Sequence, residues 1–381
     1  MVPVSRVAGV LGVSWHTAHG GFVRVADQAG IVVTDPAEVV EVAGAAQAGP
    51  PAEAGTEPAA GETGAKPRRS VSGPLPEVSV LGLDDHRRGS PRWHRDPDSG
   101  RWVTDADRWQ TVLIDSVGGH GLLGVVEGRT SGPVTGWILD QPAAWRAAIW
   151  AVTIDMSTVY KAAARAALPH AVLVVDPFHV AQLANKAVGD VRRRVTHRLR
   201  RRRGRATDPE YQIKKLLLRG PATLTPAGRE KILTTLAVLG GTACFEIGTA
   251  WRAKNLLLDL LALSPTRTGL ATCRTDIDRA LTRFFEFCAT VGATVPELVT
   301  LAETISGWRV EITGAILHGL SNAAAEGVNR LAKLVYWVAF GLRNVANQQR
   351  RARYTASRST PRLRHALALT GRSGLPGSGW P

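Results

Sequence analysis

The chain has 381 residues, enough for two or three domains with a buried core, which excludes a miniprotein or a peptide hormone. Its 47 Lys and Arg outnumber 32 Asp and Glu to give a net charge of +15, and Arg, whose planar fork matches phosphate, supplies most of the excess. Nucleic acid is therefore the first partner to expect. Cys244, Cys273 and Cys288 are few and widely spaced, so neither a disulfide framework nor a cysteine zinc site is expected, and a reducing cytoplasm suits them. No apolar run reaches the ~20 residues that span a bilayer, so no membrane partner is expected.

Residues 4–27 carry an apolar stripe of Val7, Val10 and Leu11, a Gly12-Val13 break, and Ser14 placed to cap a second short helix. This outlines a helix-turn-helix over 1–33, with Ser14, Trp15, His16 and Thr17 facing a DNA groove. The unit starts so near Met1 that a third supporting helix is expected to be missing, as in a truncated segment. Residues 34–75 turn to Ala, Gly, Pro and Glu without an apolar period and predict a flexible linker.

Four short apolar runs then follow, bounded by turn residues. EVSVLGLDD (77–85), WQTVLIDS (109–116), GLLGVVEG (121–128) and WAVTIDMS (150–157) read as strands. STVYKAAARAAL (157–168) reads as a helix ended by Pro169, and HAVLVVD (170–176) as a fifth strand. The succession is a three-strand antiparallel meander, then strand, helix and a strand parallel to the fourth. The fold class expected is α/β, an RNase-H-like mixed five-stranded sheet whose first part covers 76–189. A helical, Arg-rich insertion is placed at 190–314, a final core helix at 315–350, and a basic, frayed tail at 351–381.

Asp84 closes the first of these runs and Asp155 the fourth, and carboxylates at adjacent strand ends make a site for hard divalent cations. Asp85 competes with Asp84, and Asp115 is a weaker competitor expected to serve a hairpin. Glu326 lies on a helix with Asn329, Arg330, Lys333 and Trp337 three, four, seven and eleven residues further on, which presents an acid, an amide, cations and an aromatic together. VRRRVTHRLRRRRGR (191–205) holds nine Arg; Arg192, Arg193, Arg194, Arg198, Arg200, Arg201, Arg202 and Arg203, with Asn329, Arg330, Lys333 and Arg343, are candidate holders of the DNA backbone.

Two long blocks, VTIDMSTVYKAAARAALPHAVLVVDPFHVAQLANKAVGDVRRRV and LSNAAAEGVNRLAKLVYWVAFGLRNVANQQRRAR, closely resemble the DDE transposases of the ISL-three insertion-sequence family. LGLDDHRRGSPRW, GLLGVVEGRT and DPEYQIKKLLLR add to a resemblance that covers 76–355. It implies Asp84, Asp155 and Glu326 as the catalytic, metal-holding triad. Asp176 and His179 match the family's D-x-x-H signature; with Asp85 they read as supporting or substrate-orienting groups, since a lone D-x-x-H does not close a metal site. The implied cofactor is Mg²⁺ or Mn²⁺, as two ions and without zinc. The implied partners are double-stranded DNA, both terminal inverted repeats and target, bound by a homodimer among the nucleoid of a bacterial cytoplasm. The implied activity is cleavage at those repeats and strand transfer. A truncated relic that only binds DNA is the rival, and a generic RNase-H-type nuclease or resolvase the second. Relatives begin with a cysteine-rich zinc segment that is not found here.

Overall fold

The computed structural model describes residues 75–89, 93–104, 108–338 and 344–356, with short pieces at 20, 23–24, 32–34 and 70–72. They form two compact units, one of the described residues up to Ala171 and from Asn322 onward, the other of Val172–Ser321. The helix-turn-helix expected over 1–33, with Ser14, Trp15, His16 and Thr17, lies outside the described residues, as does Arg343.

In the first unit the strands are β1 (Val32–Thr34), β2 (Ser70–Ser72), β3 (Val80–Arg87), β4 (Trp93–Arg95), β5 (Trp102–Thr104), β6 (Trp109–Asp115), β7 (Gly121–Glu127) and β8 (Ala151–Ile154). Within this unit the sheet runs β1-β2-β7-β6-β3-β8, while β4 and β5 pair as a separate hairpin. Every sheet pair is antiparallel except β3 with β8, which run parallel with Leu83 opposite Ile154. The meander and the parallel fourth strand are thus as the apolar runs predicted. Nearly every residue of β3, β6 and β7 is buried apart from their ends, the pattern of strands covered on both faces.

Helices α1 (Ser131–Leu139), α2 (Ala143–Ala148) and α3 (Thr158–Ala167) belong to this unit. Gly124 on β7 has no side chain, and the Trp137 indole of α1 occupies the space a Cβ would take. The linker expected at 34–75 is corrected at its ends, because Val32–Thr34 and Ser70–Ser72 pair with each other and extend the sheet beyond β7. Three-residue edge strands leave too short an apolar period to be read from sequence.

The second unit opens with β9 (Val172–Val175), the fifth expected strand, and α4 (Pro177–Arg200). Asp176 caps α4 by accepting the Phe178 amide at 3.0 Å, with Pro177 at the first helical position. The helix ends at Arg201, in the left-handed region at φ 52°. Then come α5 (Pro226–Leu239), α6 (Gly241–Leu261), α7 (Arg274–Val291), α8 (Pro296–Gly307) and α9 (Arg309–His318). The insertion is therefore helical as expected, yet α4 runs unbroken through the boundary set at 190, since Val180, Ala184, Ala187, Val188, Val191 and Val195 continue one buried face across it.

The first unit closes with α10 (Ala323–Val338) and α11 (Val345–Ala356). Their Ala325, Val328, Ala332, Ala352 and Ala356 pack with Val112, Ile114, Leu122 and Val125 of β6 and β7. The tail expected from 351 begins inside α11, where buried Arg353 donates from Nη1 to the Leu122 carbonyl at 2.5 Å. An Arg-rich stretch reads as solvated, but here its alanines bury a helix face.

Candidate active site

Parallel pairing of β3 with β8 sets the next residues of each strand, Asp84 and Asp155, side by side at one sheet edge. Side chains alternate along a strand, so Asp84 and Asp85 address opposite faces. Asp84 meets Asn329 of α10, while Asp85 Oδ2 accepts the Tyr160 hydroxyl of α3 at 3.2 Å and lies 4.0 Å from Arg129. Asp115 stands at the far end of β6, opposite Leu81. It is buried in the hairpin turn, accepting from the amides of Val117, Gly118 and His120 at 3.2, 2.8 and 3.1 Å, as the sequence predicted for it.

Two asparagines of the last segment fasten this edge. Asn322, 2% exposed, accepts from the Thr153 hydroxyl at 2.9 Å and donates to Leu83 O at 3.0 Å and Asp155 Oδ1 at 3.3 Å. Asn329, 4% exposed, donates to Asp84 Oδ2 and to Asp85 O at 3.4 Å, while its Oδ1 lies 2.9 Å from His86 Nδ1. With the amide nitrogen donating to Asp84, the oxygen accepts from His86, which fixes the Nδ1–H tautomer of a neutral ring. The Asn329 amide, expected to hold DNA, is buried and engaged with Asp84, Asp85 and His86. Sequence reasoning passed over Asn322 and His86, although Asn322, Glu326, Asn329 and Lys333 repeat at four, three and four residues along one face.

The acids are electrostatically crowded. Burial first, then the Asp155 carboxylate, push Asp84 up to about 7 against the hydrogen bond from the Asp85 amide. Burial also raises Asp85, with Arg129 and Tyr160 opposing. Burial pushes His86 down to about 4. Three carboxylates repelling one another in a half-buried place are an oxygen donor set that a hard divalent cation relieves.

Glu326 lies on the same stripe of α10 but is not among these contacts. Its carboxylate is 61% exposed and pairs with Arg330 at 2.7 Å, a bond one helical turn long. Lys333 is exposed one turn beyond Asn329. In the second unit, Asp176 and His179 stand at the start of α4, the His179 amide donating to the Asp176 carbonyl at 3.1 Å.

Most of the arginine run is engaged within the second unit. Arg194 binds Glu297 at 2.6 Å and Glu246 at 2.7 Å, and Arg198 shares Glu246. Arg193 pairs with Asp190, Arg200 with Glu210 at 3.2 Å, and Arg202 with Asp208 at 2.8 Å. Arg192, also expected to hold DNA, is 8% exposed with its guanidinium 5.7 Å from the Tyr211 ring. Arg201 and Arg203 are exposed. Among the described residues no helix is long and apolar enough to cross a membrane.

No curated protein matches the chain. Among solved structures it is similar to the Drosophila P element transposase strand transfer complex, at 11% identity over 75% of this chain and 78% of that one, with a TM-score of 0.38. The family model of the DDE transposases of the ISL-three type, described as a transposase, matches residues 101–352. That match begins after β3 and Asp84 and spans β6, β7, Asp155, the helical insertion and the helix of Glu326, and the chain belongs to this transposase family.

Proposed function

We propose that the chain is a transposase that cleaves DNA at the terminal inverted repeats of an insertion sequence and joins the freed 3′ ends to target DNA. The observation that carries this reading is the side-by-side placement of Asp84 and Asp155 at parallel strand ends, each held by an asparagine of the α10 segment. The donor set fits Mg²⁺ or Mn²⁺: Asp84 and Asp155 would hold the ions, and Glu326, now paired with Arg330, would be the third ligand. Bound there, a pair of such ions supplies Lewis-acid activation of water or of a 3′-hydroxyl and stabilises the leaving oxygen.

The protein's own part is positioning. Asn322 and Asn329 fix the rotamers of the two acids, and the parallel register sets their spacing. Tyr160 and Arg129 hold Asp85 on the other face, which favours Asp84 as the first acid. Lys333 and Arg330 flank the edge with positive charge toward the phosphates, and Arg201 and Arg203 extend the basic surface. Asp176 and His179 are assigned a supporting part on sequence alone. Joining two element ends calls for two copies of the chain on DNA.

The test is excision and strand transfer on a plasmid carrying the repeats that flank the gene, in Mg²⁺ and Mn²⁺, with Asp155→Asn and Glu326→Gln. Metal-dependent products lost in both variants are expected. DNA binding with no products from the unaltered chain would favour the binding-only relic, and hydrolysis without joining a nuclease.

A further inference from the structure

Beside the acids lies a cavity of about 340 Å³, of whose lining only Lys333 has a part in the chemistry above; Arg87, Arg88, Gly89, Tyr336, Trp337 and Gln348 complete its walls, with His86 on the floor. Its size is at the small end of the range for small-molecule pockets, about 300–1,000 Å³. Its lining combines three cations, two aromatic rings and one unsatisfied amide. Trp337 is 77% exposed, an uncovered indole one turn beyond Lys333 on α10. Arg87 is held in place by Trp109, its guanidinium 4.6 Å from the ring centroid, so little side-chain freedom remains to be lost on binding a phosphate. Gln348 is 2% exposed, yet its Oε1 finds no hydrogen-bond donor. A buried acceptor without a donor is costly, and a ligand N–H would relieve it.

The wall on the β3 side is built for close approach. Gly89 has φ of 116°, a region that disfavours side chains, and a Cβ there would lie 3.2 Å from the Tyr336 hydroxyl. His86 on the floor shares Asn329 with Asp84, so the cavity begins one bridging side chain away from the acid pair.

Resting on the reading of the chain as a DNA-cleaving enzyme, we infer that this cavity receives one unpaired nucleotide of the DNA next to the cleaved phosphate. Its base stacks on Trp337 and Tyr336, an exocyclic amino group donates to Gln348 Oε1, and the flanking phosphates meet Arg87, Arg88 and Lys333. Adenine, cytosine and guanine carry such a group and thymine does not.

The probe is a terminal-repeat duplex with a single unpaired 2-aminopurine, compared with the fully paired duplex, bound to the full chain in EDTA. Stacking predicts quenched aminopurine fluorescence and about tenfold tighter binding of the unpaired form. Trp337→Ala should bring that ratio near one, and Trp337→Phe should keep most of it. Gln348→Leu should abolish a several-fold preference for unpaired adenine over unpaired thymine. Equal binding of paired and unpaired duplexes by the unaltered chain, or a ratio that survives Trp337→Ala, would overturn the site while paired-duplex binding and metal-dependent cleavage stand. Loss of paired-duplex binding and of cleavage in the unaltered chain would overturn the underlying reading and the site with it.

Discussion

Replacing Asp84 with Asn isolates the cost of assembling the acids. In the folded chain its carboxyl is raised to about 7 from an ordinary 3.8, so the native state binds a proton that the unfolded chain releases. A raised pKa stabilises the fold below the unfolded value and loses that contribution as pH climbs through the folded one. The loss between pH 4 and pH 8 is at most about 4 kcal/mol, at roughly 1.4 kcal/mol per pH unit. Asn carries no charge in this range, so Asp84→Asn removes the slope.

The substitution also has a fixed cost. Asp84 accepts from the Asp85 amide on one oxygen, at 2.7 Å, and from Asn329 on the other. Asn offers a single carbonyl oxygen, and the lost bond costs about 1–3 kcal/mol. This offset is nearly independent of pH. The informative quantity is therefore the stability difference between variant and wild type, which should move in the variant's favour by up to about 4 kcal/mol from pH 4 to pH 8. Urea unfolding in EDTA at four pH values measures it, and adding Mg²⁺ at pH 8 should stabilise only the wild type, by about 2.7 kcal/mol at one hundred times Kd. Parallel pH curves for the two proteins would refute the argument that these acids repel each other in the folded state.

His86 acts with the opposite sign. Its pKa, lowered to about 4, gives stability present above pH 6.5 and lost as pH falls toward 4, so His86→Gln should remove a loss of up to about 3 kcal/mol in acid unfolding curves. Asn322→Ala removes the amide donor of the Leu83 carbonyl and leaves the Thr153 hydroxyl with Ser116 alone, and a destabilisation of about 1–3 kcal/mol by urea unfolding is expected together with reduced metal-dependent cleavage. Glu246→Gln frees Arg198 from a carboxylate that is 3% exposed and leaves Arg194 with Glu297 alone. It should steepen the salt dependence of DNA binding while lowering stability by about 2 kcal/mol, measured by titration at several salt concentrations and by urea.

The core strands were legible because burial on both faces leaves continuous apolar runs, and the two acids stood out by ending such runs. The exposed β4–β5 hairpin leaves no such run, for Trp93 and Trp102 are 54% and 68% exposed. α1 was missed because SGPVTGWIL mixes Gly and Pro with a weak period. Asn322 and Asn329 gave the least local signal: an amide is an acid's partner only when the last helix returns to β3 and β8 across the whole insertion. Glu326 was legible as an acid on the stripe of Asn322, Asn329 and Lys333, but its pairing with Arg330 depends on side-chain conformation, which spacing permits and does not dictate.

The arginine run shows how far net charge reaches. A surplus of +15 points to a polyanion, and the family match bears that out, yet the count does not say where the charge acts. Glu246 and Glu297 come from helices far downstream of α4, and together with Glu210, Asp208 and Asp190 they absorb five of the arginines that looked most available. Arg87, Arg88 and Lys333 sit in no conspicuous run, but they gather around a cavity beside the acid edge. Phosphate near the reacting bond would therefore meet these scattered cations first. The dense run is drawn into ion pairs with carboxylates from distant helices, whereas Lys333 stays exposed beside the crowded acids.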